Sequence, residues 1–346
     1  MRCYSKILLL LMTGNSFCLL VYFADLQLKT LKTDLKLSNI SAYAENSRKN
    51  LKIQWESFIL FCLYFNFCYL PASTETIQLY SQFLSRSFKS VASIRNYLSG
   101  VRTVHQLLGY NLNEMNTFLI NFTLRGISRL KCHCVKQAQP ITPFILSKIY
   151  LTLNFKDPEN LVLWCLFLFA FFLLARKSNL VPTTLKDLIN HKCLIRSDVT
   201  RVHGDLIVTM NWTKTIQFGE RLLQTPLLKL PGSCLCPVTA YDNMLKFIPG
   251  KPADALFLLP NGKPVTYYLF QNKLRQVLND LGFDSSLYSS HSFRRGFATL
   301  AFKNNISSDE IQILGDWHSD VYKRYISLSI EDKCKIMKDI SHVFYV

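Results

Sequence analysis

From residue 40 onward, apolar residues mostly recur at intervals of three and four, the spacing of one helix face. In residues 41–65, Leu51, Trp55, Phe58 and Ile59 share such a face, with charges between them. Pro71 interrupts the pattern, and Ser73-Thr74-Glu75 has the composition of a capped start. The helix it opens carries Ile77, Tyr80, Phe83 and Leu84. Residues 90–111 continue in helical register to Gly109, with Arg95, Asn96, Arg102 and His105 on the polar side. Residues 131–143 are basic, lack apolar periodicity and end in prolines, the signature of a linker.

Beyond the linker, residues 141–153 predict a helix, and Leu161 to Ala175 form an unbroken apolar run. The period then changes. In residues 205–213, Leu206, Val208, Met210 and Trp212 alternate with Ile207, Thr209 and Asn211, which predicts a half-buried strand. A Gly-containing turn and residues 222–228 supply its hairpin partner. Helical signals return at 237–247, with Pro237 at the start. They recur at 266–281, after 290 with Ser290 as N-cap, and in the tail beyond Tyr325. The fold class is mainly α with a small antiparallel β-sheet. The predicted organisation is a leader (1–39), a helical domain (40–135) and a second domain (136–346).

The apolar run 161–175 lies between Lys156-Asp157 and Arg176-Lys177. It falls short of the ~20 residues that span a bilayer, so it is a core helix and no membrane partner is expected. The leader pairs Arg2 and Lys6 with apolar residues but lacks a small-residue cleavage site, so secretion is not expected. Lys and Arg number 40 against 23 acids in 346 residues, a net charge of +17. Such an excess points to a polyanion, nucleic acid before membrane surface. Eleven cysteines, an odd number in a long chain, argue for reduced thiols. Cys132-His133-Cys134 and Cys234-Leu235-Cys236 lack metal-ligand spacing, and no metal is expected.

Candidate chemistry concentrates in residues 290–326. His291 and Arg294 stand three apart, on one face of a helix. Arg presents a planar fork of donors to a phosphate, and His donates to it or moves a proton. A Gly315-Asp316-Trp317 corner follows, then Tyr325, whose hydroxyl could form a covalent intermediate. The set reads as a phosphate clamp with a nucleophile. Taken singly, an H-x-x-R pair and a tyrosine between basic residues are also ordinary surface features.

The arrangement resembles the C-terminal signature of the tyrosine recombinase (phage integrase) family, and its wording looks more like the recombinases of eukaryotic mobile elements than bacterial chromosome-dimer resolvases. There an H-x-x-R box precedes a Leu-Gly-His or Gly-Trp corner, with the nucleophilic Tyr eight or nine residues on. Here Tyr325 lies nine residues after Asp316 and eight after Trp317. The resemblance extends upstream. Ser90 to Arg102 is similar to the family's core-binding pattern, and the hydrophobic helix running into Arg176 is similar to the setting of its first catalytic Arg. Asn179 stands where Glu is usual, and Asp316 where bacterial members carry His.

That resemblance implies DNA cleavage and rejoining without a cofactor. Arg176 and Arg294 would hold the scissile phosphate, Tyr325 attack it, and His291 assist proton movement. Lys214, within Thr-Lys-Thr on the hairpin, would protonate the leaving oxygen. Trp317 would position the tyrosine, with Asp316 turned outward or bonding locally. Tyr322 is the rival nucleophile; Arg221 and Lys229 are the alternatives to Lys214. Arg95, Arg102, Arg221, Lys273 and Arg275 are expected phosphate contacts. The implied partner is double-stranded DNA, met by a homo-oligomer, a tetramer on DNA. The implied location is the nucleus in a eukaryote or the cytoplasm in a prokaryote. A DNA-binding descendant without activity, and a strand nicker without partner exchange, are the competing readings.

Overall fold

The computed structural model describes residues 14–111, 117–133, 137–326 and 328–341. The chain divides into two compact units, Met1–Val135 and Lys136–Val346. Part of the leader (1–13), part of the linker (134–136, including Cys134) and the last tail residues (342–346) lie outside the described residues.

The first unit is helical. Helix α1 (Gly14–Ser41) includes the end of the leader, and its side chains from Gln27 to Ser41 are exposed. Helices α2 (Glu45–Phe65), α3 (Thr74–Ser87), α4 (Val91–Leu107) and α5 (Thr117–Lys131) enclose a core of Phe58, Ile77, Tyr80, Ile94, Leu98 and Leu124. Local chemistry sets their ends. The Ser73 hydroxyl accepts from the Thr76 N–H at 3.0 Å, and Ser90 accepts from Ala92 at 3.2 Å. His105 does not join the polar side of α4, as its spacing predicted. It is buried: Nε2 accepts from the Ala72 N–H at 3.0 Å, and Nδ1 donates to the Val101 carbonyl at 2.8 Å. Two partners at core positions satisfy both ring nitrogens, so the ring costs little to bury.

In the second unit, helices α6 (Pro143–Thr152), α7 (Pro158–Phe172), α8 (Lys177–Leu180) and α9 (Leu185–Ile189) lead into the sheet. Strands β1 (Val199–Val202), β2 (Asp205–Met210) and β3 (Leu223–Leu227) pair antiparallel in the order β1-β2-β3. The expected hairpin is present, with Leu206 opposite Leu227 and Met210 opposite Leu223. Leu206, Val208 and Met210 are buried, as the alternation requires. Pro226 sits in β3, an edge strand, where its missing N–H disturbs no ladder. Strand β1 was not foreseen; its four residues are too few and too exposed to show a period.

Helices α10 (Pro237–Phe247), α11 (Tyr267–Asp280), α12 (His291–Lys303), α13 (Ser308–Leu314) and α14 (Ile330–Ser341) complete the unit. Helix α7 is its axis. Every residue from Leu161 to Phe171 is buried, under α10 on one side and α12 on another. Phe167 stacks on Phe293 at 5.5 Å between ring centroids, and Phe169 meets Phe257 edge-on at 5.7 Å. Burying each such ring contributes roughly 1.5–3 kcal/mol. Among the described residues, no helix is long and apolar enough to cross a membrane.

Gly296 allows α12 to lie this close. A Cβ there would run into the Ile141 carbonyl and stand 3.1 Å from the Phe171 ring. Helix propensity alone would favour Ala by about 1 kcal/mol, but the neighbour is backbone and cannot yield. Gly296→Ala is therefore expected to lower stability by about 3 kcal/mol, read as a lower urea midpoint with an unchanged denaturant slope.

Candidate functional site

Helix α7 ends in a sharp turn. Leu174 adopts a left-handed conformation (φ 46°), unfavourable for a branched side chain. The turn aims the Leu174 carbonyl at α12 and delivers Arg176 as the residue preceding α8. On α12, Arg294 is buried; Nη1 donates to Leu174 O, and Nη2 to Gly315 O at 2.5 Å. The guanidinium carbon stacks 4.0 Å from the centroid of the Trp317 ring and lies 5.5 Å from that of Tyr325. Burial first, then the nearby charge of Arg176, brings the Arg294 pKa down to about 9. Neither arginine forms an ion pair with a carboxylate among the described residues. Arg176, Arg294, Asn179, Thr213 and Asp316 line one narrow crevice.

His291 begins α12, and its ring centroid lies 6.2 Å from that of Tyr325. Burial, then the cations Lys177, Arg294, Arg176 and Arg295, lower its pKa and favour the neutral imidazole. Ser290 is not the side-chain cap predicted for this helix. It has helical dihedrals, and its buried hydroxyl finds no partner. Ser289 takes the role, accepting from the His291 N–H at 3.3 Å.

The corner after α13 places the tyrosine. Gly315 has no side chain because the Trp317 ring fills the space a Cβ would occupy. That ring lies 5.4 Å from the Tyr325 ring and 6.2 Å from Tyr322. Tyr322 is sealed into an apolar cluster with Ala298, Ile311 and Trp317, whereas Tyr325 is half-buried. Two residues beyond the sequence prediction fasten the segment. Arg295 donates to the Arg324 carbonyl at 2.6 Å and to Gln137 Oε1 at 2.9 Å, and the Thr299 hydroxyl donates to the Tyr325 carbonyl at 3.3 Å. The sequence offers one trace of this, a second arginine beside the box.

Asp316 corrects the expectation that it turns outward or bonds locally. It is buried, with a left-handed backbone (φ 51°) that Asp tolerates better than most residues. Its partners lie some hundred residues earlier: Arg221 on Oδ1, and Thr215 and Thr213 on Oδ2, the last at 3.2 Å. Burial raises the carboxyl pKa, but the Arg221 bond and charge and the two hydroxyls more than offset it, so the group is held below the usual carboxylate range. The charge of Arg221 balances that of Asp316, leaving Arg176 and Arg294 to set the sign of the crevice.

Lys214 stands between Thr213 and Thr215 in the connection from β2 to β3. It is exposed, and its ammonium makes no hydrogen bond, ion pair or ring contact among the described residues. Asn179 Nδ2 donates to the Trp212 carbonyl at 2.8 Å, fixing the start of that connection. The structure thus gathers Arg176, His291, Arg294, Trp317 and Tyr325, with Lys214 on an adjoining loop. Of the expected phosphate contacts, Arg95 and Arg275 are exposed and Arg102 is half-buried on α4. Arg221 and Lys273 already hold carboxylates, Asp316 and Glu159, the latter at 2.8 Å. Lys229 is exposed just past β3. Among the described residues, no group of three or more His, Cys, Asp or Glu is placed to hold a metal.

No family model matches the chain. A search of curated proteins finds an integrase/recombinase xerD homolog of Selenomonas ruminantium. It is 24% identical over 287 residues, covering 77% of this chain and 76% of the relative. Similar solved structures include the Tn1549 transposon integrase in complex with transposon right end DNA (TM-score 0.60, 12% identity, 89% of this chain and 98% of that one). A lambda integrase dimer bound to a COC' core site gives a TM-score of 0.56 at 15% identity, over 86% of this chain and 94% of that one. The XerH recombinase, in a post-cleavage complex with palindromic difH substrate, gives 0.56 at 15% identity, over 83% and 75%.

Proposed function

We infer that this chain is a tyrosine recombinase, which cleaves and rejoins double-stranded DNA through a phosphotyrosyl link at Tyr325. The observation that carries this reading is the convergence of His291, Arg294 and Trp317 on the Tyr325 ring, with Arg176 lining the same crevice as Arg294 and neither arginine ion-paired to a carboxylate among the described residues. Arg176 and Arg294 hold the non-bridging oxygens, where charge grows in the transition state; preorganised donors of this kind contribute roughly 3–4 kcal/mol each. The Tyr325 oxygen bonds to phosphorus, the bond to the 5′ oxygen breaks, and the Lys214 ammonium protonates that oxygen. His291, whose neutral form is favoured by burial and then by its cationic neighbours, takes or passes the tyrosine proton. A 5′ hydroxyl from a second duplex then attacks the phosphotyrosine, freeing Tyr325 and joining the new strand.

Arg95, Arg102 and Arg275 supply phosphate contacts that position the duplex without reading its sequence. Partner exchange needs more than one active site, and we assign the working form to a tetramer on DNA; the relatives solved with DNA, one of them as a dimer, support assembly on the duplex. The enzyme works where its host keeps DNA: in the nucleus of a eukaryote, in the cytoplasm of a prokaryote.

The test is a suicide duplex, nicked close to the candidate cleavage site so that the cut strand diffuses away. Incubated with the protein in EDTA, it is expected to yield a covalent protein–DNA adduct on a denaturing gel. Mass spectrometry is expected to place the nucleotide on the peptide containing Tyr325. Specific binding without an adduct would overturn the catalytic reading in favour of a DNA-binding descendant. Adduct and religation without exchange of partners would leave a strand nicker.

A further inference from the structure

We propose that Asp316 and Arg221 form a positioning pair that docks the Lys214 connection against the Gly315–Trp317 corner, so that departure of the 5′ oxygen depends on them. This rests on the assignment of Lys214 as general acid and extends it to the residues that hold Lys214 in place. Three observations support it. First, the hydroxyls that reach Asp316 belong to Thr213 and Thr215, the two neighbours of Lys214. Second, the connection is closed there: the Thr213 N–H donates to Ile216 O at 3.1 Å and the Ile216 N–H returns to Thr213 O at 3.2 Å, leaving Lys214 at a tight turn. Third, Asp316 lies between Gly315, whose carbonyl accepts from Arg294, and Trp317, which faces Tyr325. One buried carboxylate therefore ties the proposed acid to the elements that hold the phosphate and the nucleophile.

The site needs a carboxylate in particular. Its two oxygens accept from Arg221 on one side and from the threonines on the other. An asparagine of the same shape has one oxygen and an NH2 group. Its oxygen can accept from Arg221 and its NH2 donate to the Thr215 hydroxyl, but Thr213 Oγ1 already accepts from the Thr215 and Ile216 N–H groups, and the negative charge opposite Arg221 is lost. Lys214 itself contributes nothing to its own placement, since its ammonium is unbound and exposed; the order must come from its neighbours.

The experiment compares two suicide duplexes that differ in one atom. One carries the ordinary 5′ bridging oxygen; the other carries sulfur there. A thiol loses its proton near pH 8.5, whereas an alkoxide leaving group resembles water, near 15.7, so the sulfur departs without an acid. Wild type is expected to form adduct with both. Lys214→Ala is expected to slow cleavage of the oxygen duplex by about 100-fold or more and to be restored by sulfur. Asp316→Asn and Arg221→Ala are expected to lose roughly 10- to 100-fold on oxygen and to come within about threefold of wild type on sulfur. Equal losses of Asp316→Asn on both duplexes would overturn the proposal, because the defect would then lie in the tyrosine or the phosphate clamp. No loss on either duplex would overturn it too. If Asp316→Asn does not fold, Arg221→Ala decides alone, since that side chain is 40% exposed and its removal leaves no core cavity. Wild type that forms adduct with neither duplex would sink the recombinase reading itself.

Discussion

Exchanging Tyr325 for phenylalanine is expected to lower adduct formation by at least about 10⁴-fold, the scale seen when a covalent nucleophile is removed. The change deletes one oxygen and keeps the ring, so the contacts with Trp317 at 5.4 Å and His291 at 6.2 Å persist. The segment is also held through main-chain carbonyls, by Arg295 at Arg324 and by Thr299 at Tyr325 itself. DNA binding and the unfolding midpoint should therefore stay close to wild type, which separates chemistry from folding. Tyr322→Phe is the matching control. Tyr322 is buried among apolar residues with Trp317 over it, out of reach of a phosphate, and its variant should still form the adduct. Adduct lost in Tyr322→Phe and kept in Tyr325→Phe would reverse the assignment.

The second large effect is expected at Arg294. Lysine keeps the charge but loses the planar fork. In this structure the fork holds two carbonyls, Leu174 and Gly315, that end separate elements of the fold, and its face covers Trp317. Arg294→Lys is expected to reduce cleavage by about 10³-fold and to cost about 2–3 kcal/mol of stability, because a buried carbonyl loses its donor. Arg176→Lys makes the comparison. Arg176 is half-buried and anchors no such pair, so its variant should lose cleavage at similar scale while unfolding at nearly the wild-type denaturant concentration. A stable Arg294→Lys protein would show that the carbonyl contacts are incidental.

What the sequence revealed and what it hid divide along the range of the forces involved. Helix α7 was legible because eleven consecutive buried positions from Leu161 to Phe171 are all apolar. Strand β2 was legible because Leu206, Val208 and Met210 repeat every second residue. The His291–Arg294 pair was legible because helical spacing alone aligns them. Cap, core and site details that depend on tertiary neighbours were not. Nothing near Ser290 marks its hydroxyl as idle, and nothing near His105 says that the Ala72 N–H will meet its ring. Asp316 finds its arginine 95 residues earlier, across a contact that no periodicity encodes. Arg295 was passed over because its work is done on a backbone carbonyl, Arg324, which every residue possesses and no motif can advertise.

Arg176 and Arg294 line one crevice without a carboxylate ion pair among the described residues, which bears on how the proposed reaction would find its phosphate. A duplex offers an unbroken row of chemically identical phosphates, among which two fixed charges cannot choose. Burial first, and then the like charge of Arg176, disfavour the charged form of Arg294. On the proposed function, a phosphate held between the two guanidiniums would offset that cost, whichever step of the strand it came from. The clamp would then set whichever phosphate it holds against Tyr325, and register along the strand would be left to contacts elsewhere on the protein.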